Sequence, residues 1–269
     1  MNRIDAAFDR LRRARRKAFM PFLSAGDPNL DVTAAVLRAL QDRGAADLVE
    51  LGVPFSDPIA DGPTIQASYQ RALAAGVTPG AILDRVLALR GEGLTLPICL
   101  MVSYSLVYRP GVEDFVDRAA RAGIDGFIVP DLPADAAEGL ASALAKRDLR
   151  YVPLVAPTTT PARRKIISAR ATGFIYCVSV TGITGERTSL PAQLSEYVRS
   201  VKKGAKVPVC VGFGLSRPEH VAAVAQVADG AIVGSAVIHR IADHAGEPPA
   251  DVAKAVADLC EELAAPLRS

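Results

Sequence analysis

Residues 49–63 read Val-Glu-Leu-Gly-Val-Pro-Phe-Ser-Asp-Pro-Ile-Ala-Asp-Gly-Pro. They set one carboxylate, Glu50, inside a run of strand type and two more, Asp57 and Asp61, in the loop behind it. Apart from Asp47 and Glu50 the run 46–51 is apolar, the pattern of a strand covered on both faces. Burying a carboxylate there is costly unless it is paired, or protonated with a raised pKa. A carboxyl tuned that way at a strand's C-terminal end, beside a loop carrying further acids, is equipped for proton transfer. Each acid also has a plainer reading: Glu50 in a buried ion pair with a neighbouring strand, and Asp61 as the cap of a helix that begins after Gly62 and Pro63. Pro54, Pro58 and Pro63 stiffen the loop and reduce the entropy lost in holding its acids in place.

Three glycine-containing turns follow later strand-like runs: Thr181-Gly182-Ile183-Thr184-Gly185, Gly212-Phe213-Gly214 and Gly234-Ser235. Such turns bring backbone N–H groups close to a ligand, and with a helix N-terminus they make an anion site. One such turn is usually only a tight corner, and Ser235 alone is equally a helix cap. Three at successive strand ends point to phosphate. The polar stretch 181–189, with Glu186, Arg187 and a glycine hinge at Gly185, has the composition of a lid or of an ordinary mobile loop.

The elements that position these residues repeat one theme: a short β-branched run, a Gly/Pro/Asp turn, then an alanine-rich helix. Strands are expected over 19–24, 47–51, 97–101, 126–129, 151–155, 174–178, 208–211 and 230–233. Helices are expected around Val36, Leu83, Val116, Leu140, Ile166, Leu194 and Val224, with a last one over 251–263. Pro161, Pro191, Pro218 and Pro249 mark first turns, where a missing N–H costs nothing. Eight such units predict a closed (β/α)₈ barrel, with an N-terminal helix whose apolar face is Ile4, Phe8 and Leu11. An additional helix over 63–75 lengthens the connection after the second strand, and the 181–189 stretch lengthens the one after the sixth. In barrels the mouth loops carry the site and phosphate typically sits after the seventh and eighth strands, the positions of Gly212, Gly214, Gly234 and Ser235.

Composition removes several classes. The 269 residues carry 31 basic and 29 acidic side chains, so the overall charge gives no case for nucleic acid. The basic run Arg10 to Lys17 lies on an amphipathic segment and reads as a solvated helix face. No apolar run approaches the roughly 18 residues of a membrane span, and residues 1–17 lack the pattern of a secretory signal. Cys99, Cys177, Cys210 and Cys260 show no paired spacing and are expected to be reduced thiols of a cytoplasmic protein. His220, His239 and His244 lack zinc-motif spacing, so no metal is expected. No linker divides the chain, which predicts one barrel domain over 1–269.

With these residues in view, the sequence resembles the α chain of tryptophan synthase. The likeness rests on Glu50 to Pro58 and Ala60 to Pro63, and extends through Pro21-Phe22, Gly26-Asp27-Pro28, residues 129–133, Thr184-Gly185, Gly212-Phe213-Gly214 and Gly234-Ser235-Ala236. It implies cleavage of indole-3-glycerol phosphate to indole and glyceraldehyde 3-phosphate, with Glu50 and Asp61 as the catalytic pair. It also implies Phe22 and Phe213 against the flat indole, the phosphate on the N–H groups of Gly185, Gly214, Gly234 and Ser235, and Tyr176, Thr184 and Gly212 among the other substrate contacts. No cofactor is implied for this chain; pyridoxal phosphate is expected in a β subunit, the pair forming an α2β2 complex bordered by the Asp57 loop and the loop after the third strand. Two departures stand out: Ser105 where the family has an asparagine, and Ile183 where it has a valine. A free-standing indole-releasing lyase, or another phosphate-binding barrel such as a sugar-phosphate isomerase, are the alternatives.

Overall fold

The structure is a computed structural model that describes residues 1–58, 61–178, 192–212 and 214–268. The chain opens with α1 (Arg3–Arg13), started by Asn2, whose side chain accepts the Ile4 N–H at 2.9 Å. There follow β1 (Ala18–Ser24), α2 (Leu30–Asp42), β2 (Val49–Gly52), α3 (Pro63–Ala74), α4 (Pro79–Gly91), β3 (Ile98–Met101), α5 (Tyr104–Tyr108) and α6 (Val112–Ala122). Next come β4 (Gly126–Ile128), α7 (Glu138–Ala145), β5 (Arg150–Tyr151), β6 (Leu154–Val155), α8 (Pro161–Arg170) and β7 (Ile175–Val178). The last elements are α9 (Ala192–Gly204), β8 (Val209–Gly212), α10 (Pro218–Ala225), β9 (Gly230–Val233), α11 (Ser235–Asp243) and α12 (Pro249–Ala264).

All the strand pairs are parallel, and the sheet runs β5-β4-β3-β2-β1-β9-β8-β7-β6. Its two ends are halves of one stretch, the predicted fifth strand, broken at Val152-Pro153 because proline has no N–H for a ladder. Val152 N–H still donates to Phe127 O of β4 at 2.9 Å, while Pro153 O accepts from Tyr176 N of β7 at 3.0 Å. The sheet is thereby closed, and the expected barrel is present.

Burial on both faces explains the apolar runs: all seven residues of β1 and all four of β2, β3, β8 and β9 are buried. At the N-terminal end of the strands, α1 closes the barrel with Ile4, Ala7, Phe8 and Leu11, and Asn2 Nδ2 donates to the carbonyls of Asp125 and Asp148. The Arg10 to Arg15 part of the basic run is exposed where Arg10, Arg12, Arg13 and Arg15 stand, as a solvated helix face requires. Asp125, 3 % exposed at its side chain, accepts from Ile98 N and from the guanidinium groups of Arg90 and Arg3, so one carboxylate ties a strand start to two helices.

Pro63, Pro161, Pro218 and Pro249 each open a helix, and α3 supplies the predicted extra helix after β2. Pro191 and the stretch 181–189 lie outside the described residues. Two helices were not expected. The short α5 follows β3, and α11 begins at Ser235 immediately after β9, with no separating loop and no capping side chain to announce it.

Candidate active site

Glu50 stands second in β2, in register with Phe22 of β1 and Cys99 of β3. It is 1 % exposed, and among the described residues it takes part in no ion pair. The paired-acid reading is therefore excluded. Burial first, and the charge of Asp61 second, push its carboxyl up to about 8, so it holds its proton at neutral pH inside an apolar strand.

Asp61 is not a helix cap. The residue at that position of α3 is Gly62, and Pro63 begins the helix. Asp61 is held by its backbone instead: its N–H donates to Pro58 O at 3.2 Å, and its carbonyl accepts from Gln66 Nε2 at 2.8 Å. Burial raises its carboxyl to about 6. At neutral pH Asp61 is therefore ionised while Glu50 is protonated, an arrangement in which two carboxyl groups can take different roles.

Both acids open on a cavity of about 480 Å³ at the C-terminal ends of the strands. Phe22, Leu154, Tyr176 and Ile232 give it apolar walls suited to a flat aromatic group. Phe22 also packs on Tyr69, ring centroids 6.5 Å apart. Burial, then the charges of Glu50 and Asp61, push the Tyr176 phenol well above its usual range, so its hydroxyl stays protonated.

The glycine-lined part of the cavity is built differently. Gly214, Gly234 and Ser235 line it, and Ser235 is the first residue of α11. The N–H groups of a helix's first turn have no intrahelical acceptor, and they carry the positive end of the helix dipole. An anion is accommodated there without any buried cation. Three of the expected contacts, Thr184, Gly185 and Phe213, lie outside the described residues. Gly212 is buried against Tyr176, where a β-carbon would come within 2.2 Å of the hydroxyl. Its lack of a side chain makes room for the tyrosine.

A small neighbouring pocket of about 40 Å³ shares Asp61, Met101 and Pro130 with the main cavity and includes Asp57, Tyr69 and Ser103. Beside it Ser103 Oγ donates to Asp131 at 2.6 Å, the Ser103 and Ser105 hydroxyls are 3.0 Å apart, and Tyr104 N–H donates to Asp131 at 2.8 Å. Ser105 thus takes part in tying the loop after β3 to the loop after β4. Tyr69, Ile65, Arg217, His220 and His239 border the site without having been expected; the even spacing of Ile65 and Tyr69 on α3 was the one signal in the sequence that could have found any of them.

A carboxylic acid held protonated in a strand, an ionised partner and an anion cradle across an apolar slot form the pattern to which known proteins can be compared. The sequence model of the family described as Tryptophan synthase alpha chain matches residues 8–267. The chain belongs to that family. The tryptophan synthase alpha chain of Rhodopirellula baltica is 46 % identical over 277 residues, covering 98 % of each protein. Among solved structures, tryptophan synthase subunit alpha from Legionella pneumophila superposes with a TM-score of 0.90 at 34 % identity, covering 99 % of this chain and 98 % of that one. A chain of the tryptophan synthase complex from Pyrococcus furiosus gives 0.83 at 36 % identity, covering 92 % and 98 %. As a tryptophan synthase alpha chain it is a carbon–carbon lyase of tryptophan biosynthesis that pairs with a β subunit. The sugar-phosphate isomerase alternative falls with that membership.

Proposed function

We propose that Glu50 and Asp61 divide the proton chemistry that cleaves indole-3-glycerol phosphate into indole and glyceraldehyde 3-phosphate. The indole ring must become an electron sink before its bond to the glycerol chain can break. Glu50 delivers its proton to ring carbon C3, and positive charge develops on the ring. Asp61, ionised, accepts the ring N–H and stabilises that charge. The hydroxyl on the adjoining carbon then gives its proton back to Glu50, its oxygen becomes the aldehyde carbonyl, and the electrons of the broken C–C bond restore the indole. One proton enters at carbon and one leaves from oxygen, so the acid is regenerated.

Phe22 and Tyr176 flank the ring, and the N–H groups at Gly214, Gly234 and Ser235 take the phosphate; Thr184, Gly185 and Phe213 join them on the sequence likeness alone. The steps are proton transfers to and from an electron-rich ring, for which two carboxyl groups suffice, and this chain calls for no metal or organic cofactor. Pyridoxal phosphate belongs to the β subunit. We read the working unit as one barrel domain over residues 1–269 in an α2β2 complex, bordered by the Asp57 loop and the loop after β3, in the cytoplasm. Among the described residues no single helix is long and apolar enough to cross a membrane, and all four cysteines are buried and free.

The observation that carries this reading is the unpaired, buried Glu50 carboxyl opening on the same cavity as the start of α11. Indole release from indole-3-glycerol phosphate, measured with and without a β subunit, tests it. Release that rises with the β subunit supports the complex; release indifferent to it supports a free-standing lyase; no release in either case overturns the reading.

A further inference from the structure

The cavity lined by Gly234 and Ser235 is also lined by Ser216, Arg217 and His220, at and just before the start of α10. His220 is one of the few polar residues buried in this protein, at 4 % exposure. Its Nδ1 accepts the N–H of Ser216 at 3.4 Å. A ring nitrogen that accepts a hydrogen bond carries no proton, so the proton of the ring sits on Nε2. Among the described residues nothing accepts from that Nε2–H, although the side chain is buried and borders the cavity. A ring N–H with no protein acceptor on a cavity wall is available to bond a ligand oxygen.

Arg217, the residue just before α10, is exposed and, among the described residues, in no ion pair. It is also the one Arg or Lys among the described residues that line this cavity, whose carboxyl groups are those of Glu50 and Asp61. The lining thus carries two carboxyl groups, on β2 and in the loop after it, and one guanidinium at the start of α10.

We propose that His220 and Arg217 are specificity-determining residues for the phosphate: His220 as a side-chain N–H donor of fixed tautomer, Arg217 as the counter-charge that the backbone cradle lacks. The inference rests on the proposed placement of the substrate, with phosphate at Gly234 and Ser235. Charge-assisted hydrogen bonds to a phosphate are among the stronger polar contacts, and a rim guanidinium adds an attraction that salt screens.

The test is calorimetric titration of the full chain with glycerol 3-phosphate and, separately, with indole. His220→Leu is expected to raise the Kd for glycerol 3-phosphate at least fivefold and leave that for indole unchanged. His220→Gln, which can both accept from Ser216 and donate onward, is expected to stay within twofold of the parent. Arg217→Ala, at an exposed position that leaves the fold intact, is expected to raise the same Kd at least threefold and to flatten its dependence on salt. Unchanged phosphate affinity in both His220→Leu and Arg217→Ala overturns the proposal, as does equal loss for both ligands in His220→Leu, which would mark His220 as a support for α10. These failures differ from failure of the functional reading, in which the parent protein itself would neither bind glycerol 3-phosphate nor release indole.

Discussion

Gly212 and Tyr176 share one space: a β-carbon on Gly212 would stand 2.2 Å from the Tyr176 hydroxyl and 2.6 Å from the ring carbon that carries it. The two residues lie on adjacent strands, β8 and β7, and the tyrosine forms part of the apolar wall opposite Glu50. A rigid phenol ring cannot yield as a flexible chain end would. Gly212→Ala is therefore expected to displace Tyr176 and lower kcat/KM roughly 10- to 100-fold, matching an overpacking strain of about 1–3 kcal/mol. Steady-state kinetics check this, and an unchanged kcat/KM would show that the wall does not position the ring.

Glu50→Gln keeps the shape of the side chain and removes the transferable proton. Turnover is expected to fall about 10³-fold or more, with indole binding retained, since general acid–base groups contribute roughly 10²–10⁴-fold. Loss of folding in this variant would instead assign Glu50 a structural role.

The pH profile follows from the two acids. Activity needs Asp61 ionised and Glu50 protonated, and their values lie at about 6 and about 8. The profile of kcat/KM is expected to be a bell with its maximum near neutrality, its limbs belonging to the coupled pair. Asp61→Asn should remove the acidic limb along with most of the activity. A rate that keeps rising through pH 9 would contradict Glu50 as the donor.

The same carboxyl makes stability depend on pH. The folded Glu50 value of about 8 exceeds the ordinary 4.5, so between those values the folded state binds more protons than the unfolded state, and stability falls as pH rises through that window. The effect is of the order of a few kcal/mol. Urea unfolding at pH 5 and pH 8.5 should show this loss in the parent and a smaller one in Glu50→Gln. Equal slopes in the two proteins would mean that Glu50 is not buried as a free acid.

Asp125 belongs to the opposite end of the barrel. Replacing it by alanine leaves the Ile98 N–H without its acceptor and the nearly buried Arg90 without its partner. The expected cost is about 3–5 kcal/mol of unfolding free energy. The kcat of the protein that remains folded should be close to the parent value, because nothing at this end touches substrate. Denaturant melts combined with kinetics below the transition separate the two effects.

The sequence by itself determined the alternation of elements and therefore the barrel, because β-branched runs and alanine-rich helices are written as local periodicities. It also marked Glu50 and Asp61, since an acid in an apolar strand and another in a proline-stiffened loop are anomalies visible without coordinates. Their protonation states were set by packing. Whether Glu50 meets a cation depends on side chains from neighbouring strands, and it meets none there; whether Asp61 caps α3 depends on a backbone turn, which gave that place to Gly62. Likewise Ser235 alone did not decide between a ligand turn and a helix start until α11 was seen to begin there, and the crowding of Gly212 by Tyr176 shows only in the packed fold. Burial and proximity are properties of residues distant in the chain, and desolvation, which sets the two pKa values, acts only once those residues have packed together.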